Sequence, residues 1–352
     1  MEKIRFISLL ALVFLFSGCS LPSKETAPVE TGGPNLTPSS IYQANDGGSN
    51  WLPLHDKTLK IESADILSMA VSPTEGVAIF GLAEGGILRT SDKGQSFEFL
   101  SKFKAEKVYG LEIDPTDSQV IYASGVWEKR GKIYKTQDQG ETWKEIYTEP
   151  ADGPLVISLA ISQNSNGAIL ASDSEGAVFR SADKGETWKK VFQSDAPITK
   201  IISGKNSASL FLIAQGGRVY RGNSNATGFS EITKNIFDSL KKSGEIFSGE
   251  LDSKGNLYLG GEFGLAKSSD NGNSWSEISI LNDPSAFPVR ALAINPKKEK
   301  EIIFGAARAV YRSNDGGESW SSYQLNNSSK IAGILKFSPV DTELVYLGLF
   351  KK

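Results

Sequence analysis

The sequence predicts an all-β protein, a seven-bladed β-propeller of four-stranded antiparallel blades spanning residues 39–352. Three observations predict it. The chain carries 35 glycines and many β-branched and aromatic residues, with few long amphipathic helical stretches. One short phrase recurs: SDKGQSF (91–97), TQDQGETW (136–143), SADKGETW (181–188), SSDNGNSW (268–275) and SNDGGESW (313–320), with a related copy ending at Trp51. The two ends of the repeat array are each half a unit, and the halves complement one another.

The first 18 residues read as a signal peptide. A basic start, Met1 to Arg5, precedes the apolar run FISLLALVFLF, which is too short to span a bilayer comfortably. FSGCS follows, and small residues before a cysteine at this place resemble the bacterial lipoprotein signal. That resemblance implies cleavage before Cys19, acylation of its thiol and a lipid anchor in a bacterial cell envelope, outside the cytoplasm. An ordinary secretory peptide with a chance cysteine is the other reading. Cys19 is the sole cysteine and His55 the sole histidine, so no intrachain disulfide or thiolate metal cluster is expected, nor any metal or cofactor. Residues 20–38, rich in Pro, Ser, Thr and Gly, read as a tether reaching on the order of 24 Å. The formal net charge is −3 with mixed signs, and no basic face argues for nucleic acid.

The repeat is counted from the aspartate of each phrase. Asp46, Asp92, Asp138, Asp183, Asp270 and Asp315 are spaced by 46, 46, 45, 87 and 45 residues. The long interval holds two periods, and VYRGNSNATGFSEI (219–232) supplies the missing copy, aligned with Ser224 for the aspartate and Phe229 for the tryptophan. A period of about 45 residues marks propellers and solenoids. Each period has four short alternating runs, as in VYGLEIDP, VIYASGVW, KIYKTQD and TWKEIYT of the second blade. SIYQAND and NWLPLHD at the start match the third and fourth runs; IAGILKFSP and ELVYLGLF at the end match the first and second. Left apart, each half would expose a sheet edge. Paired, they make a seventh blade and close the ring.

The pattern [ST]-x-D-x-G-x-[ST]-[WF] resembles the Asp-box, or BNR repeat, and the resemblance covers residues 40–352. Its residues are Asp46 with Trp51, Asp92 with Phe97, Asp138 with Trp143, Asp183 with Trp188, Asp270 with Trp275 and Asp315 with Trp320. Asp accepts hydrogen bonds from its own turn, Gly permits positive φ, and the aromatic enters the blade. The alternative, calcium ligands, lacks the bidentate Glu of an EF-hand. These positions read as fasteners, on the face opposite the ligand mouth.

A binding face is then sought among the strand 2–3 turns and the blade-to-blade connections. GVWEKRG carries Trp127, the one tryptophan outside the repeated phrase, with Arg130 beside it; aromatic and guanidinium together make a common interface anchor, although Trp127 packed on a neighbour is equally natural. Arg218, Arg290 and Arg308 fall in or beside connections on one face, as does Glu262. They read either as an anion-binding mouth or as separate solvated arginines. The run NIFDSLKKSGE suggests a short helical plug at that end.

Among Asp-box proteins, sialidases carry an FRIP-type motif not found here, and xyloglucan-active glycosidases use two propellers. The chain resembles the membrane-tethered propellers of the photosystem II assembly/stability factor type. That resemblance implies a non-enzymatic scaffold that binds a protein or peptide client through an arginine-rich face. A carbohydrate-binding or glycoside-hydrolysing propeller, sialidase-like or xyloglucanase-like, is the alternative, with Glu84, Glu128, Glu175, Glu262 and Asp283 as available carboxylates.

Overall fold

A computed structural model describes residues 37–351, except 57, 151, 163–166, 205–206 and 328. The signal peptide, Cys19 and nearly all of the tether lie outside the described residues. Seven four-stranded antiparallel sheets form among them. Six are sequential: the first blade runs from Ile66 to Phe99, the second from Val108 to Thr148, the third from Val156 to Gln193, the fourth from Ile198 to Glu231, the fifth from Ile246 to Ile278 and the sixth from Val289 to Gln324. The innermost strand of each blade packs against that of the next, and the seventh packs back on the first, so the ring is closed.

The seventh blade is stitched from both ends of the chain. Ile41–Ala44 lies between Leu52–Pro53 and Val345–Phe350, with Ile41 opposite Gly348 and Ala44 opposite Val345. Ile331–Phe337 completes the sheet on the channel side. Side chains from neighbouring blades lock the seam. The Arg312 guanidinium donates to the Gly47 carbonyl at 2.7 Å from the sixth blade. On the other side, the buried Lys330 ammonium donates to Ser40 Oγ at 2.7 Å and pairs with Asp65 at 3.2 Å, just before the first blade.

The core is divided among the blade interfaces, as it must be when each sheet buries both faces against its neighbours. The seam between the sixth and seventh blades, for example, contains Tyr42, Trp51, Ile303, Val310 and Leu335. This explains why second strands such as Ala78–Leu82 and Ala168–Asp173 are buried along their whole length instead of alternating.

The repeated turn is a hydrogen-bonded unit. Asp183 Oδ1 accepts the Thr187 amide at 2.9 Å and the Ser181 hydroxyl at 2.7 Å, while Thr187 Oγ1 donates to Oδ2. The Ser181 hydroxyl in turn accepts the Gly185 amide at 2.8 Å. Asp92, Asp138, Asp270 and Asp315 repeat the arrangement. The hydroxyls of Thr136 and Thr142 and the Thr142 amide hold the Asp138 carboxyl down to about 2. Asp46 has Ala44 two residues before it and so lacks one hydroxyl; Asn50 supplies both donors instead, at 2.7 and 3.0 Å.

These bonds hold a strained reversal, since Lys184 and Gly185 both sit at positive φ, 59° and 99°. Gly185 is needed twice over, because a Cβ there would lie 2.4 Å from Ile146 of the second blade. In two copies the tryptophan also reaches across: Trp188 Nε1 donates to the Ile146 carbonyl at 3.0 Å, and Trp320 Nε1 to the Ser279 carbonyl at 2.7 Å. Cations at a fixed place in the third strands complete the joint. Arg89 donates to the Gln139 carbonyl, Lys135 to Lys184 and Arg221 to Asn271, each in the turn of the following blade. The turn is a clasp between blades as well as within one.

Two sequence expectations are corrected. In the divergent copy of the fourth blade, Asn223 and not Ser224 takes the carboxylate's place, accepting the Thr227 amide at 3.1 Å and donating to its hydroxyl at 2.7 Å. The alignment slipped by one residue because Asn223 can satisfy the same amide four positions on. The segment after it forms the helix Thr233–Leu240, which buries Ile236 and Leu240 between the fourth and fifth blades beside Phe211 and Trp275. It fills an outer seam where the fourth strand is only two residues long, and does not plug the channel.

Candidate binding mouth and channel

Strand 2–3 turns and blade connections meet at one end of the ring. Ala83 N donates to Asp65 O, Ser174 N to Leu155 O and Glu262 N to Glu245 O, at 2.8–3.0 Å. Each innermost strand starts at this end, and in all seven the ladder skips one residue there: Leu67, Tyr109, Ile157, Thr199, Phe247, Arg290 and Gly333. A bulge leaves one residue unpaired and re-aims its side chain. Here all seven line a central cavity of about 470 Å³. In three blades a serine one residue on bonds to the next innermost strand, as where Ser68 Oγ donates to the Val108 carbonyl at 2.7 Å.

The residues singled out in the sequence distribute unevenly over this end. Arg290 lines the cavity, its guanidinium 4.0 Å from the centre of the Phe247 ring, a cation–π contact between adjacent bulges. Trp127 and Arg130 flank a tight hairpin turn whose Glu128 and Lys129 both have positive φ; Trp127 is half-buried, and Arg130 pairs with Asp152 at 2.8 Å. Arg218 is held by Asp195. Glu262 accepts the Glu245 amide at 3.0 Å and so braces a connection. Arg308 is exposed in its turn, with its carbonyl accepting the Leu325 amide. Arg130 and Arg218 thus face rim aspartates, and Arg290 is the arginine directed to the lumen.

Below the bulges the lumen carries four charges that loop-based reasoning missed: Glu112, Lys200, Glu250 and Lys336. Glu250 stands between the two lysines, with Oε2 3.6 Å from Lys200 Nζ and Oε1 3.6 Å from Lys336 Nζ. Their signal was present, as each places a charge within an innermost strand rich in apolar residues (VYGLEID, ITKII, IFSGEL and IAGILKF). Burial pushes the Glu112 carboxyl up to about 7, with Lys336 and Lys200 opposing and Glu250 reinforcing the rise. A raised carboxyl binds its proton more tightly in the folded state, so it costs stability as pH climbs from its ordinary 4.5 toward 7. Glu112→Gln should therefore be more stable than the parent at pH 8 and equal to it at pH 4. Urea unfolding at the two pH values checks this, and a gain independent of pH would contradict it.

The arrangement resembles known propellers. The structure of a xyloglucanase from Xanthomonas campestris superposes with a TM-score of 0.67 at 16% identity, covering 82% of this chain; this chain spans about half (51%) of that one. A structure described as YCF48 bound to D1 peptide gives 0.64 at 16% identity, covering 90% of this chain and 98% of its own. YCF48 from Cyanidioschyzon merolae gives 0.60 at 13%, covering 81% and 95%. Such identities show a common fold. No curated protein matches the sequence. The family model for photosynthesis system II assembly factor YCF48 matches residues 36–289, and the chain belongs to that family.

Proposed function

We propose that this propeller is an assembly scaffold, tethered by lipid on Cys19 outside the cytoplasm, that holds a protein or peptide client at the channel mouth. The observation that carries the reading is the mouth itself: seven bulged residues converge on one lumen, with Arg290 stacked on Phe247. A preformed concave site with an aromatic and a guanidinium suits recognition of a polypeptide. Family membership supports it, as does the neighbour whose structure contains a bound peptide.

The test is affinity capture from solubilised membranes with the acylated protein and its Arg290→Glu variant. Recovery of the client should fall at least about tenfold with the variant, the loss of a hot-spot contact. Identical recovery by both would remove the mouth from consideration.

A glycoside-cleaving reading draws on Glu112 and Glu250, two lumen carboxylates in contrasting surroundings. Release of reducing sugar from xyloglucan, abolished by Glu112→Gln, would favour it over the scaffold.

A further inference from the structure

We propose that the channel contains a binding site for a carboxylate, with Lys200 and Lys336 as its donors and Arg290 at its entrance. Each lysine ammonium has three N–H donors. In the structure both turn to the same Glu250 at 3.6 Å, longer than the 2.7–2.9 Å of a good charge-assisted hydrogen bond. Both lysines line the lumen. Both lysine side chains keep about a third of their surface open, 31% and 38%, and one carboxylate shared between two cations leaves the three groups a positive charge in excess.

Glu112 is the other nearby acid, and its raised pKa leaves it largely protonated through mildly acidic pH, so it does not cancel that excess. A monoanion neutralises the site, whereas a dianion such as sulfate overshoots and meets Glu250. Glu250 shows the geometry that fits: a carboxylate bridging two ammonium groups. The lumen, about 470 Å³, lies in the size range of small-ligand pockets and holds roughly fifteen waters by liquid volume. A carboxylate can arrive on a free small molecule or at the end of a polypeptide; both bring the same group to the lysines.

Calorimetric titration at pH 6 distinguishes the sources and tests the site. The probes are N-acetylalanine, a Gly/Ser octapeptide with a free terminal carboxylate, the same octapeptide amidated, and inorganic sulfate. The intact protein should bind the free-carboxylate octapeptide at least tenfold more tightly than its amide. That preference should vanish in Lys336→Met and in Lys200→Met, each checked for an unchanged melting transition, and persist in Lys254→Met, whose exposed lysine pairs with Glu299. Saturation by N-acetylalanine as well shows that the carboxylate alone suffices; saturation by the octapeptide only assigns the site to a chain end. Equal binding of acid and amide, a preference that survives both lumen variants, or sulfate binding at least as tightly as the carboxylates would overturn the proposal. Any of those results leaves the Arg290-dependent capture of a client standing, since that is read separately.

Discussion

Removal of every residue before Asp56 should abolish cooperative folding. The deletion takes away the third and fourth strands of the composite blade and leaves Val345–Phe350 as an unpaired apolar edge. It also strips Ile41, Tyr42 and Trp51, each at most 1% exposed, from the seam with the neighbouring blades. At roughly 1.5–3 kcal/mol for each such side chain, the loss reaches much of the roughly 5–15 kcal/mol that stabilises a typical domain. Arg312 loses the Gly47 carbonyl and Lys330 the Ser40 hydroxyl in the same stroke. Chemical denaturation followed by circular dichroism should show no sharp transition, and size exclusion should show association through the bared edge. A monomer that unfolds at the parental midpoint would contradict the closure described here.

Trp51→Ala should be the most damaging of the aromatic substitutions in the repeated turns. Its indole is 1% exposed and packs in the seam between the sixth and seventh blades, and its Nε1 donates to the Gly48 carbonyl at 3.0 Å. Truncating so large a buried side chain costs about 3–5 kcal/mol where the cavity cannot collapse. Trp188 occupies the same place in its own turn but is only partly buried, against Tyr147 at 5.6 Å between ring centres. Trp188→Ala should therefore cost about half as much. Equilibrium unfolding of the two variants measures the difference; equal losses would mean that the closing seam is no tighter than the others.

The blade count was legible because turn chemistry is local. A carboxylate that must reach an amide four residues on, a glycine that must take positive φ and an aromatic that must be buried leave a fixed pattern, and the period follows. The composite blade was legible for the same reason, as the leading and trailing runs each match half of a unit. The lumen was not legible. Glu112, Lys200, Glu250 and Lys336 lie far apart in sequence, inside strands, and converge only because the ring closes. A charge in a strand ordinarily signals a solvent-facing side, and the bulge that re-aims Arg290 and Phe247 leaves no mark in the sequence. Arg218 looked available for a client until Asp195, from the preceding blade connection, was seen beside it. That pairing depends on the approach of two loops, which periodicity does not encode.

Hydrogen–deuterium exchange of the propeller with its captured client bound tests the central claim most directly, because the two ends of the ring yield different peptides. Exchange should slow at the starts of the innermost strands and in the rim segments 149–155, 215–218 and 282–290, with the clasps around Asp92, Asp138, Asp183 and Asp315 unchanged. Protection confined to those clasps, with the mouth exchanging as in the free protein, would contradict it.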